Sequence, residues 1–397
     1  MSKLEELVEQ LCPNGVKYRA LGELVNYEQP GKYIVSSTKY SDEYQIPVLT
    51  AGQTFILGYT NEINGIYEAS EDNPVIIFDD FTAAFKWVDF QFKVKSSAIK
   101  ILTANSDLTI IRYIYHVMGF LNISSDEHKR LWIGMYSNIK VPVPPLEVQQ
   151  EIVHILDNFT ELEKELEKEL ELRRKQYEYY RDLLLDFRDV HAGGTNAYSV
   201  SWLAEMLHEL CPDGVEYKAL GEFANISRGK VMSKDYLKEN IGEYPVYSSQ
   251  TENNGQLGSI STYMYDGEYL TWTTDGANAG TVFFRSGKFS ITNVCGLIDV
   301  KNSNIIPKFL YYYLYKEAPN HVKAGMGNPK LMSNVMSNIK LPVPPLAVQQ
   351  RIVHILDRFD ALCNDLTNGL PAEIALRRKQ YEYYRDKLLN FKELKEA

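Results

Sequence analysis

The most suggestive cluster of potentially catalytic residues lies at positions 212–218, where a Pro-Asp element is followed by Glu-x-Lys. Carboxylates and a lysine in this order could hold a divalent metal ion for phosphodiester cleavage. Only two residues separate Asp213 from Glu216, however, and the same frame recurs at positions 13–19 without either acid. The pattern therefore predicts a turn that enters a strand, and not a nuclease site.

Other catalytic and cofactor motifs are missing from the sequence as well. Neither Gly31-Lys32 nor Gly287-Lys288 has the upstream glycine of a phosphate-binding loop. The four cysteines are Cys12, Cys211, Cys295 and Cys363. They form no Cys-x-x-Cys pair, so the sequence indicates neither a zinc site nor a disulfide framework. We predict no catalytic residue, no metal site and no cofactor site in this chain.

The chain consists instead of two copies of one scaffold. The repeated blocks are residues 11–23 and 210–222, residues 137–159 and 337–359, and residues 172–182 and 376–386. The last pair is identical letter for letter. A duplicated scaffold of this kind predicts internal pseudo-two-fold symmetry.

Two stretches that share little sequence lie between the repeated blocks. Each carries strand-like segments and then a helix-like run, which predicts two mixed α+β domains. We call residues 28–136 domain 1 and residues 227–336 domain 2. The predicted regions are an N-terminal part of the scaffold (1–27), domain 1 (28–136), a central scaffold with a long helix (137–226), domain 2 (227–336) and a C-terminal scaffold with a second helical arm (337–397).

The segment after domain 1 predicts one long helix. No helix breaker occurs between Leu146 and Phe187, and apolar residues recur every three or four positions. At 1.5 Å per residue, such a helix would be roughly 60 Å long. The second copy carries Asn-Gly-Leu-Pro at 368–371, which predicts two helices, about 346–367 and 372–391, with a kink or loop between them. Matching apolar stripes favour an antiparallel coiled coil between the arms. The predicted fold class is therefore α+β, with two globular domains separated by long helices.

Composition limits the remaining possibilities. The net charge of −10 argues against a protein that holds nucleic acid by bulk attraction alone. Contacts with base edges and with partner subunits can still provide the DNA affinity that the net charge of the chain does not. The N-terminus is acidic and amphipathic, and no apolar run approaches the roughly 20 residues of a membrane span. We therefore expect a cytoplasmic protein.

Two motifs of the scaffold are long enough to be specific. Each arm begins with Val-Pro-Pro-Leu-x-Val-Gln-Gln-x-Ile-Val-x-Ile-Leu-Asp-x-Phe and later carries Leu-Arg-Arg-Lys-Gln-Tyr-Glu-Tyr-Tyr-Arg. Together with the alternation of variable and near-identical regions, they resemble the specificity subunits of type I restriction-modification systems. The resemblance covers essentially the whole chain. It implies that each variable domain is a target recognition domain that reads one half of a bipartite DNA site.

The resemblance also implies how work is divided in a larger complex. This chain would be a non-catalytic subunit that reads double-stranded DNA and assembles methyltransferase subunits, two in number, and restriction subunits. S-adenosylmethionine and ATP would be held by those partners. The insertion at 368–371 leaves the continuity of the second arm open. The residues alone leave one alternative open: a coiled-coil interaction protein whose two domains bind ligands other than DNA.

On this resemblance, polar loops and basic residues of the two domains become candidates for DNA contacts. In domain 1 they are Thr50, Gln53, Thr54, Tyr59 and Asn61 for the bases, and Lys86, Lys93, Lys95 and Lys100 for the phosphates. In domain 2 they are Ser248, Ser249, Gln250, Thr251, Asn253, Asn254, Trp272, Thr273, Thr274 and Asn278 for the bases, and Arg228, Lys230, Arg285 and Lys288 for the phosphates. Solvated turns would show the same composition.

Overall fold

The computed structural model of the protein describes residues 2–52, 54–123, 129–187, 201–325 and 327–394. In the first half of the chain, the helices and strands are α1 (Lys3–Leu11), β1 (Lys17–Ala20), α2 (Leu21–Leu24), β2 (Val25–Glu28), β3 (Ile46–Leu49), β4 (Ile56–Thr60), β5 (Val75–Asp79), β6 (Phe85–Val88), β7 (Lys93–Val94), β8 (Ile99–Ala104), α3 (Ile111–Leu121), β9 (Lys140–Val143) and α4 (Leu146–Leu184). In the second half they are α5 (Ser201–Leu210), β10 (Tyr217–Ala219), β11 (Ala224–Arg228), α6 (Lys234–Glu239), β12 (Ile241–Tyr247), β13 (Gln256–Ile260), β14 (Tyr265–Thr273), β15 (Val282–Ile291), β16 (Cys295–Val300), α7 (Pro307–Glu317), β17 (Lys323–Gly325), β18 (Gly327–Lys330), α8 (Ser333–Ser337), β19 (Lys340–Pro342), α9 (Leu346–Asn364) and α10 (Leu370–Leu388). None of these described helices is both long enough and apolar enough to cross a membrane.

The chain divides into two compact units. Unit 1 comprises Met1–Glu167 and Glu373–Ala397, and unit 2 comprises Lys168–Ala372. Each unit contains one variable domain and takes its helices from both copies of the scaffold. The mixed helix and sheet content confirms the predicted α+β class, while the predicted region boundaries stay predictions.

Domain 2 is built on one six-stranded sheet, in the order β11-β16-β14-β15-β12-β13. Its neighbouring strands are antiparallel except for β12 and β15, which run parallel with Val246 opposite Ser290. Helix α7 packs against β14 and β15. The strands are rich in aromatic and β-branched residues, which suit a sheet with one buried face.

Domain 1 divides the same arrangement between two sheets, β2-β8-β5-β6 and β4-β3-β7. Strands β3 and β7 run parallel with Val48 opposite Lys93, in the same way as β12 and β15. Residues 89–92 separate β6 from β7, whereas β15 continues without a break. Strands β6 and β7 of domain 1 together therefore correspond to β15 of domain 2.

The repeated Leu-Gly-Glu segment before each sheet fixes the register between the two domains. After it, Val25 pairs with Ala104 in domain 1, and Ala224 pairs with Val300 in domain 2. The ladders can be followed strand by strand from these pairs, because a strand position has one partner on each side.

The register places individual residues of the two domains at equivalent positions. Ile76 lies opposite Leu102 in domain 1, as Leu270 lies opposite Ile298 in domain 2. Further equivalent pairs are Leu49 and Tyr247, Ile77 and Thr271, and Val88 and Arg285. The domains therefore share a backbone frame and differ in the side chains that it carries.

In unit 1, the first part of α4 packs against α10. Phe159 stacks on Tyr384 with ring centroids 5.0 Å apart, and Arg378 donates to the carboxylate of Glu163 at 2.8 Å. The partner position falls as the position along α4 rises, so the two helices are antiparallel. This confirms the predicted antiparallel pairing of the arms in unit 1.

In unit 2, the remainder of α4 packs against α9, and Tyr180 stacks on Phe359 with centroids 5.8 Å apart. The predicted break in the second arm is confirmed, because α9 ends at Asn364 and α10 begins at Leu370. A Cβ atom at Gly369 would lie 2.6 Å from the carbonyl oxygen of Asp365. Glycine is therefore needed at this turn between the two helices.

One buried glutamine fastens each arm to its domain. The side-chain oxygen of Gln149 accepts from the Thr109 hydroxyl at 2.9 Å and the Ile110 N–H at 3.1 Å. Its amide nitrogen donates to the carbonyl oxygens of Leu108 at 3.0 Å and Pro144 at 2.8 Å. These four hydrogen bonds set the direction in which α4 leaves domain 1.

Gln349 makes the matching contacts in unit 2. Its side-chain oxygen accepts from the Ile306 N–H at 2.9 Å. Its amide nitrogen donates to the carbonyl oxygens of Asn304 at 2.8 Å and Pro344 at 2.7 Å. Ile306 is therefore the equivalent of Ile110 in unit 1.

The last described residues of the chain return to its beginning within unit 1. The Val16 N–H donates to the carbonyl oxygen of Lys392 at 2.9 Å, and the Leu394 N–H donates to that of Val16 at 2.8 Å. The Tyr18 hydroxyl donates to the carbonyl oxygen of Phe391 at 2.8 Å. The C-terminal segment is thus a structural part of the unit that begins the chain.

Candidate nucleic-acid interface

Two loops of domain 2 converge at one end of its sheet. Residues 248–255 follow β12, and a second loop follows β14. The amide of Asn278, in the second loop, donates to the Thr251 hydroxyl at 3.1 Å. The Thr292 hydroxyl donates to the Ser248 hydroxyl at 3.0 Å, which ties the first loop to the end of β15. The structure therefore brings together loops that the sequence separates.

Two basic residues border these loops. The Arg228 guanidinium donates to the Thr274 hydroxyl at 2.8 Å and lies 3.2 Å from the carboxylate of Asp275. Lys230 is exposed, and its backbone bridges to Thr292 beside the first loop. We call the two loops together with Arg228 and Lys230 the loop surface of domain 2.

The candidates of domain 2 differ in exposure. Six are exposed: Arg228, Lys230, Asn253, Asn254, Asn278 and Lys288. Four are half-buried: Ser248, Ser249, Gln250 and Thr251. The other four are buried: Trp272, Thr273, Thr274 and Arg285. The exposed and half-buried residues other than Lys288 lie on the loop surface. They remain candidates for DNA contacts.

The buried candidates have partners inside the domain. The Trp272 indole N–H donates to the carbonyl oxygen of Leu331 at 2.9 Å, within the core. The Thr273 hydroxyl donates to the carbonyl oxygen of Asn278 and so holds its own loop. The predicted base contacts of Trp272, Thr273 and Thr274 do not fit this placement, because their polar groups are already paired below the surface. The predicted phosphate contact of Arg285 does not fit either, because this residue is only 3% exposed.

Lys288 lies beside neither loop, because four residues, roughly 13 Å along the strand, separate it from Thr292 at the first loop. It stands opposite Asp266 on the β14-β15 ladder, whereas the loop after β14 adjoins the pair of Trp272 and Val282. At about 3.3 Å per residue, the two places are roughly 20 Å apart along the strand. The Lys288 ammonium instead lies 4.8 Å from the ring centroid of Tyr263.

In domain 1, the loop between β3 and β4 is the counterpart of residues 248–255. The Thr50 hydroxyl donates to the carbonyl oxygen of Thr54 at 2.8 Å. Thr54 and Asn61 are exposed, and Tyr59 is half-buried on β4. Gln53 lies outside the described residues. The described members of this group are brought together along one hairpin.

Lys100 is a structural residue in this fold. Its side chain is 0% exposed, and its ammonium lies 3.1 Å from the carboxylate of Asp80 and 3.0 Å from the side-chain oxygen of Gln29. Asp80 also accepts from the Trp132 N–H at 2.8 Å. The predicted phosphate contact of Lys100 is therefore corrected, because a buried, paired ammonium cannot meet a phosphate at the surface.

The same correction applies to Lys93. Its ammonium is buried 3.2 Å from the Glu62 carboxylate and donates to the carbonyl oxygen of Asn64 at 2.7 Å. Lys86 is half-buried and Lys95 is exposed, so these two remain candidates for the phosphates.

The corner that holds Lys100 in domain 1 has an open counterpart in domain 2. By register, Asp80 corresponds to Thr274, and Gln29 corresponds to Arg228. The side chain of Arg228 is 33% exposed, whereas that of Lys100 is 0% exposed. The same corner of the sheet is thus closed in one domain and accessible in the other.

An aspartate of each arm, missed from the sequence, also contacts its domain. Asp157 lies 2.7 Å from Nε of Arg112 and 2.9 Å from Nε2 of His116. Burial would raise the pKa of Asp157, but the His116 hydrogen bond and the Arg112 charge outweigh it and leave the pKa lowered. In unit 2, Asp357 pairs with Lys308 at 2.8 Å and accepts from the Tyr312 hydroxyl. Both aspartates belong to the repeated block 137–159 and 337–359, and this repetition is the sequence feature from which they could have been identified.

The nuclease-like pattern begins at an exposed turn. Residues 212–213 form a turn and β10 follows, as predicted. The Lys218 ammonium pairs with the Glu216 carboxylate at 2.7 Å on the surface. Within the described ranges, no group of three or more histidine, cysteine, aspartate or glutamate side chains is placed to hold a metal ion.

Comparison with known proteins identifies two matched regions in the chain. Residues 13–172 and 212–376 match the family model described as type I restriction modification DNA specificity domain. The specificity subunit of the type I restriction enzyme EcoR124I/EcoR124II from Escherichia coli is 40% identical over 421 aligned residues, which cover 98% of this chain and 97% of that protein. A putative type I specificity subunit from Mycoplasma pneumoniae is 42% identical over 252 residues, which cover 63% of this chain and 93% of that protein.

Two solved structures have a similar fold. The crystal structure of a type I restriction-modification S subunit from M. genitalium matches with a TM-score of 0.61 at 15% identity, over 94% of this chain and 96% of that one. A chain from a study of complex assembly and conformational transition of the type I restriction-modification system matches with a TM-score of 0.54 at 16% identity, over 96% of this chain and 98% of that one.

Proposed function

We propose a function that proceeds from the family of this chain, which belongs to the specificity subunits of type I restriction-modification systems. The chain is the DNA-reading subunit of such a system, and domain 1 and domain 2 each read one half of a bipartite site. The observation that carries this proposal is the common backbone frame of the two domains, which bears different side chains at equivalent positions. The alternative of a coiled-coil protein that does not bind DNA has no support from the matches.

The loop surface of domain 2 has the chemistry for reading bases. Its amide and hydroxyl side chains can donate to and accept from base edges. Arg228 and Lys230 border it and can approach phosphates, which fixes a protein on the duplex without reading sequence. The amides of Asn253, Asn254 and Asn278 are exposed there. This arrangement supports sequence reading despite the net charge of −10.

We infer that the helical arms bind methyltransferase subunits, one for each copy of the scaffold. On α4, Leu172 is 65% exposed and Tyr179 is 60% exposed. Their repeat counterparts on α10, Leu376 and Tyr383, are 55% and 63% exposed. Residues seven apart lie on one face of a helix. Large exposed apolar side chains, repeated in both copies, support two equivalent contact surfaces.

The chemical steps belong to partner chains in this proposal. Methyl transfer and cleavage, with S-adenosylmethionine and ATP, are assigned to methyltransferase and restriction subunits. The chain itself would hold neither cofactor and would act in the cytoplasm. Purified chain should therefore transfer no methyl group to DNA alone and should gain this activity with a methyltransferase subunit.

The test exchanges one domain and leaves the scaffold in place. Residues 28–136 are replaced by the matching region of the Escherichia coli relative, and the chain is produced together with a methyltransferase subunit. Sequencing of methylated sites should show one half of the site changed, with the other half and the gap retained.

The reciprocal exchange of residues 227–336 is the matched control and should change only the opposite half. If either exchange alters both halves, the domains are not separate readers. If the parent chain directs methylation to no particular sequence, the proposed function is wrong.

A further inference from the structure

Domain 2 contains a buried arginine, Arg285, that no carboxylate of the described residues neutralises. Arg285 is 3% exposed, and among the described residues no carboxylate lies within ion-pair distance of it. Its guanidinium carbon lies 3.6 Å from the ring centroid of Tyr247 and 4.3 Å from that of Phe283. Its Nε donates to the Thr271 hydroxyl at 3.1 Å. Its buried Nη1 has no hydrogen-bond partner among the described residues. Burial of a charge in this way is unfavourable and requires an explanation.

The fold itself does not require a cation at this place. The residues of domain 1 at the positions of Tyr247, Thr271 and Arg285 are Leu49, Ile77 and Val88. All three are 0% exposed and belong to one apolar cluster. The same frame is therefore complete with three hydrocarbon side chains.

What differs in domain 2 is the loop above this position. Gly255 ends the loop 248–255 with a φ of +77°, and a Cβ there would lie 3.0 Å from Nη2 of Arg285. Before it, Asn253 and Asn254 have φ of 48° and 53°, which is the left-handed region. Three successive residues in this region are uncommon and persist only where the surroundings hold them. The guanidinium is in contact with the end of the loop.

We propose that Arg285 is the positioning residue for sequence reading by domain 2: it holds the loop 248–255 in its conformation and thereby sets which bases the loop amides meet. This inference rests on the function proposed above and adds the residue that determines one of the two specificities.

The chemistry of arginine suits this role. A guanidinium is planar, stays charged and can stack on an aromatic ring while its edge donates hydrogen bonds. Here the Tyr247 ring supports its face, and Thr271 fixes its Nε. The exposed amides of Asn253 and Asn254 are carried on the loop that it supports. A shift of the loop would move these amides relative to base edges, whose hydrogen-bonding pattern differs between base pairs.

The experiment places domain 1 chemistry in domain 2. Arg285→Val, alone and with Thr271→Ile, gives the residues that domain 1 carries at the same register. Each full-length variant is produced with a methyltransferase subunit, and methylated sites are sequenced. The second half-site is the half read by domain 2. We expect the ratio of methylation at the original second half-site to methylation at sites with altered bases there to fall about tenfold or more, which is the effect of one lost base contact. The first half-site should be unchanged.

Arg285→Lys separates geometry from charge. Lysine keeps the positive charge but lacks the planar group that stacks on Tyr247, so it should shift the second half-site as Arg285→Val does. Lys288→Val, on the same strand and away from the loop, is the matched control and should leave both halves unchanged.

Two outcomes would overturn the inference. One is that Arg285→Val and Arg285→Lys melt at the temperature of the parent chain and direct methylation to the parent site in both halves. The other is an equal loss at both half-sites with no change in the bases selected, which a purely structural role would give. A parent chain without sequence preference would instead refute the proposed function.

Discussion

Domain 1 and domain 2 share a backbone frame but treat buried positive charge in opposite ways. In domain 1, Lys100 and Lys93 are each paired with a carboxylate inside the fold. In domain 2, Arg285 lies among aromatic rings, directly below a loop, and no carboxylate in the described part of the chain pairs with it. The charge of a paired lysine is neutralised inside its own domain. The charge of Arg285 is not, and its guanidinium contacts the end of the loop 248–255 instead. The contrast separates basic residues that support a domain from those that shape its surface.

The largest effect is expected from removing the carboxylate partner of Lys100. Asp80→Ala leaves a fully buried ammonium without its counter-ion and should destabilise domain 1 by about 3–5 kcal/mol. Hydrogen exchange of peptides from β5 and β8 in urea would measure it.

The double variant Asp80→Ala with Lys100→Met removes both charges and should recover much of the loss. In domain 2, Thr274→Ala at the equivalent position should cost far less, because Arg228 is partly exposed. Equal losses in the two domains would contradict the distinction between a closed and an open corner.

The second effect concerns the buried glutamine that fastens the arm to the domain in each unit. Gln149→Leu removes four hydrogen bonds and leaves buried partners unsatisfied, which should cost on the order of 3 kcal/mol. Gln349→Leu removes three hydrogen bonds and should cost somewhat less. The neighbouring Gln150 is exposed, so Gln150→Leu should change the free energy of unfolding by less than about 0.5 kcal/mol. A comparable loss for Gln150→Leu would remove the special role of the buried amides.

A smaller effect should distinguish the units by pH. Burial lowers the pKa of His116; Asp157 opposes the shift, and Arg112 and Arg385 add to it. The Tyr381 hydroxyl lies 2.9 Å from its Nδ1. The folded state thus takes up its proton at lower pH than the unfolded state, whose pKa is about 6.5. Unit 1 should therefore lose stability as the pH falls below about 6.5, by at most about 1.4 kcal/mol per pH unit.

Unit 2 provides the comparison for this pH effect. Six residues after Ile306 it carries Tyr312, where unit 1 carries His116 six residues after Ile110. Hydrogen exchange of α3 and α7 at about pH 5.5 and pH 7.5 should show acid sensitivity only in α3. The variant His116→Tyr should abolish it, and a pH response that survives this change must come from another group.

The smallest effect should come from single basic residues at the surface. Lys230→Ala should weaken DNA binding about equally for all sequences and reduce the salt dependence by about one phosphate contact. Lys288→Ala, roughly 13 Å along the strand from the nearest part of the loop surface, should change neither. Binding of fluorescent duplexes at several salt concentrations would measure both, and an equal effect of the two lysines would refute the placement of the loop surface.

Much of this fold could be predicted from the sequence because the scaffold is written twice. The repeated blocks predicted the arms and the turn before β10, and the Asn-Gly-Leu-Pro segment at 368–371, where the second copy departs from the first, predicted the break between α9 and α10. The common sheet of the two domains was less accessible, since Val88 and Arg285 occupy one position but share no chemical property. Their equivalence follows from strand pairing, which joins residues distant in the chain and cannot be deduced from local sequence patterns.

The candidate interface was predicted in part, for a similar physical reason. Polar loops such as 248–255 can be recognised by composition, and the structure brings them together. Whether a lysine or arginine points outwards depends on partners distant in the chain: Asp80 for Lys100 and Tyr247 for Arg285. Residue type alone places these cations at the surface, where most of their kind are found.

The return of the C-terminal segment to Val16 has a consequence for how the protein is made. Unit 2 is a continuous stretch of chain, Lys168–Ala372, whereas unit 1 needs Glu373–Ala397, which is translated after the whole of unit 2. Domains usually fold in the order of synthesis, N-terminal first. Here the apolar face of the first part of α4 has to wait for α10, so the unit that is translated first is completed last. Until then that face is open to chaperones and to premature association, and a ribosome that stalls before α10 has been made leaves unit 1 without its closing helix.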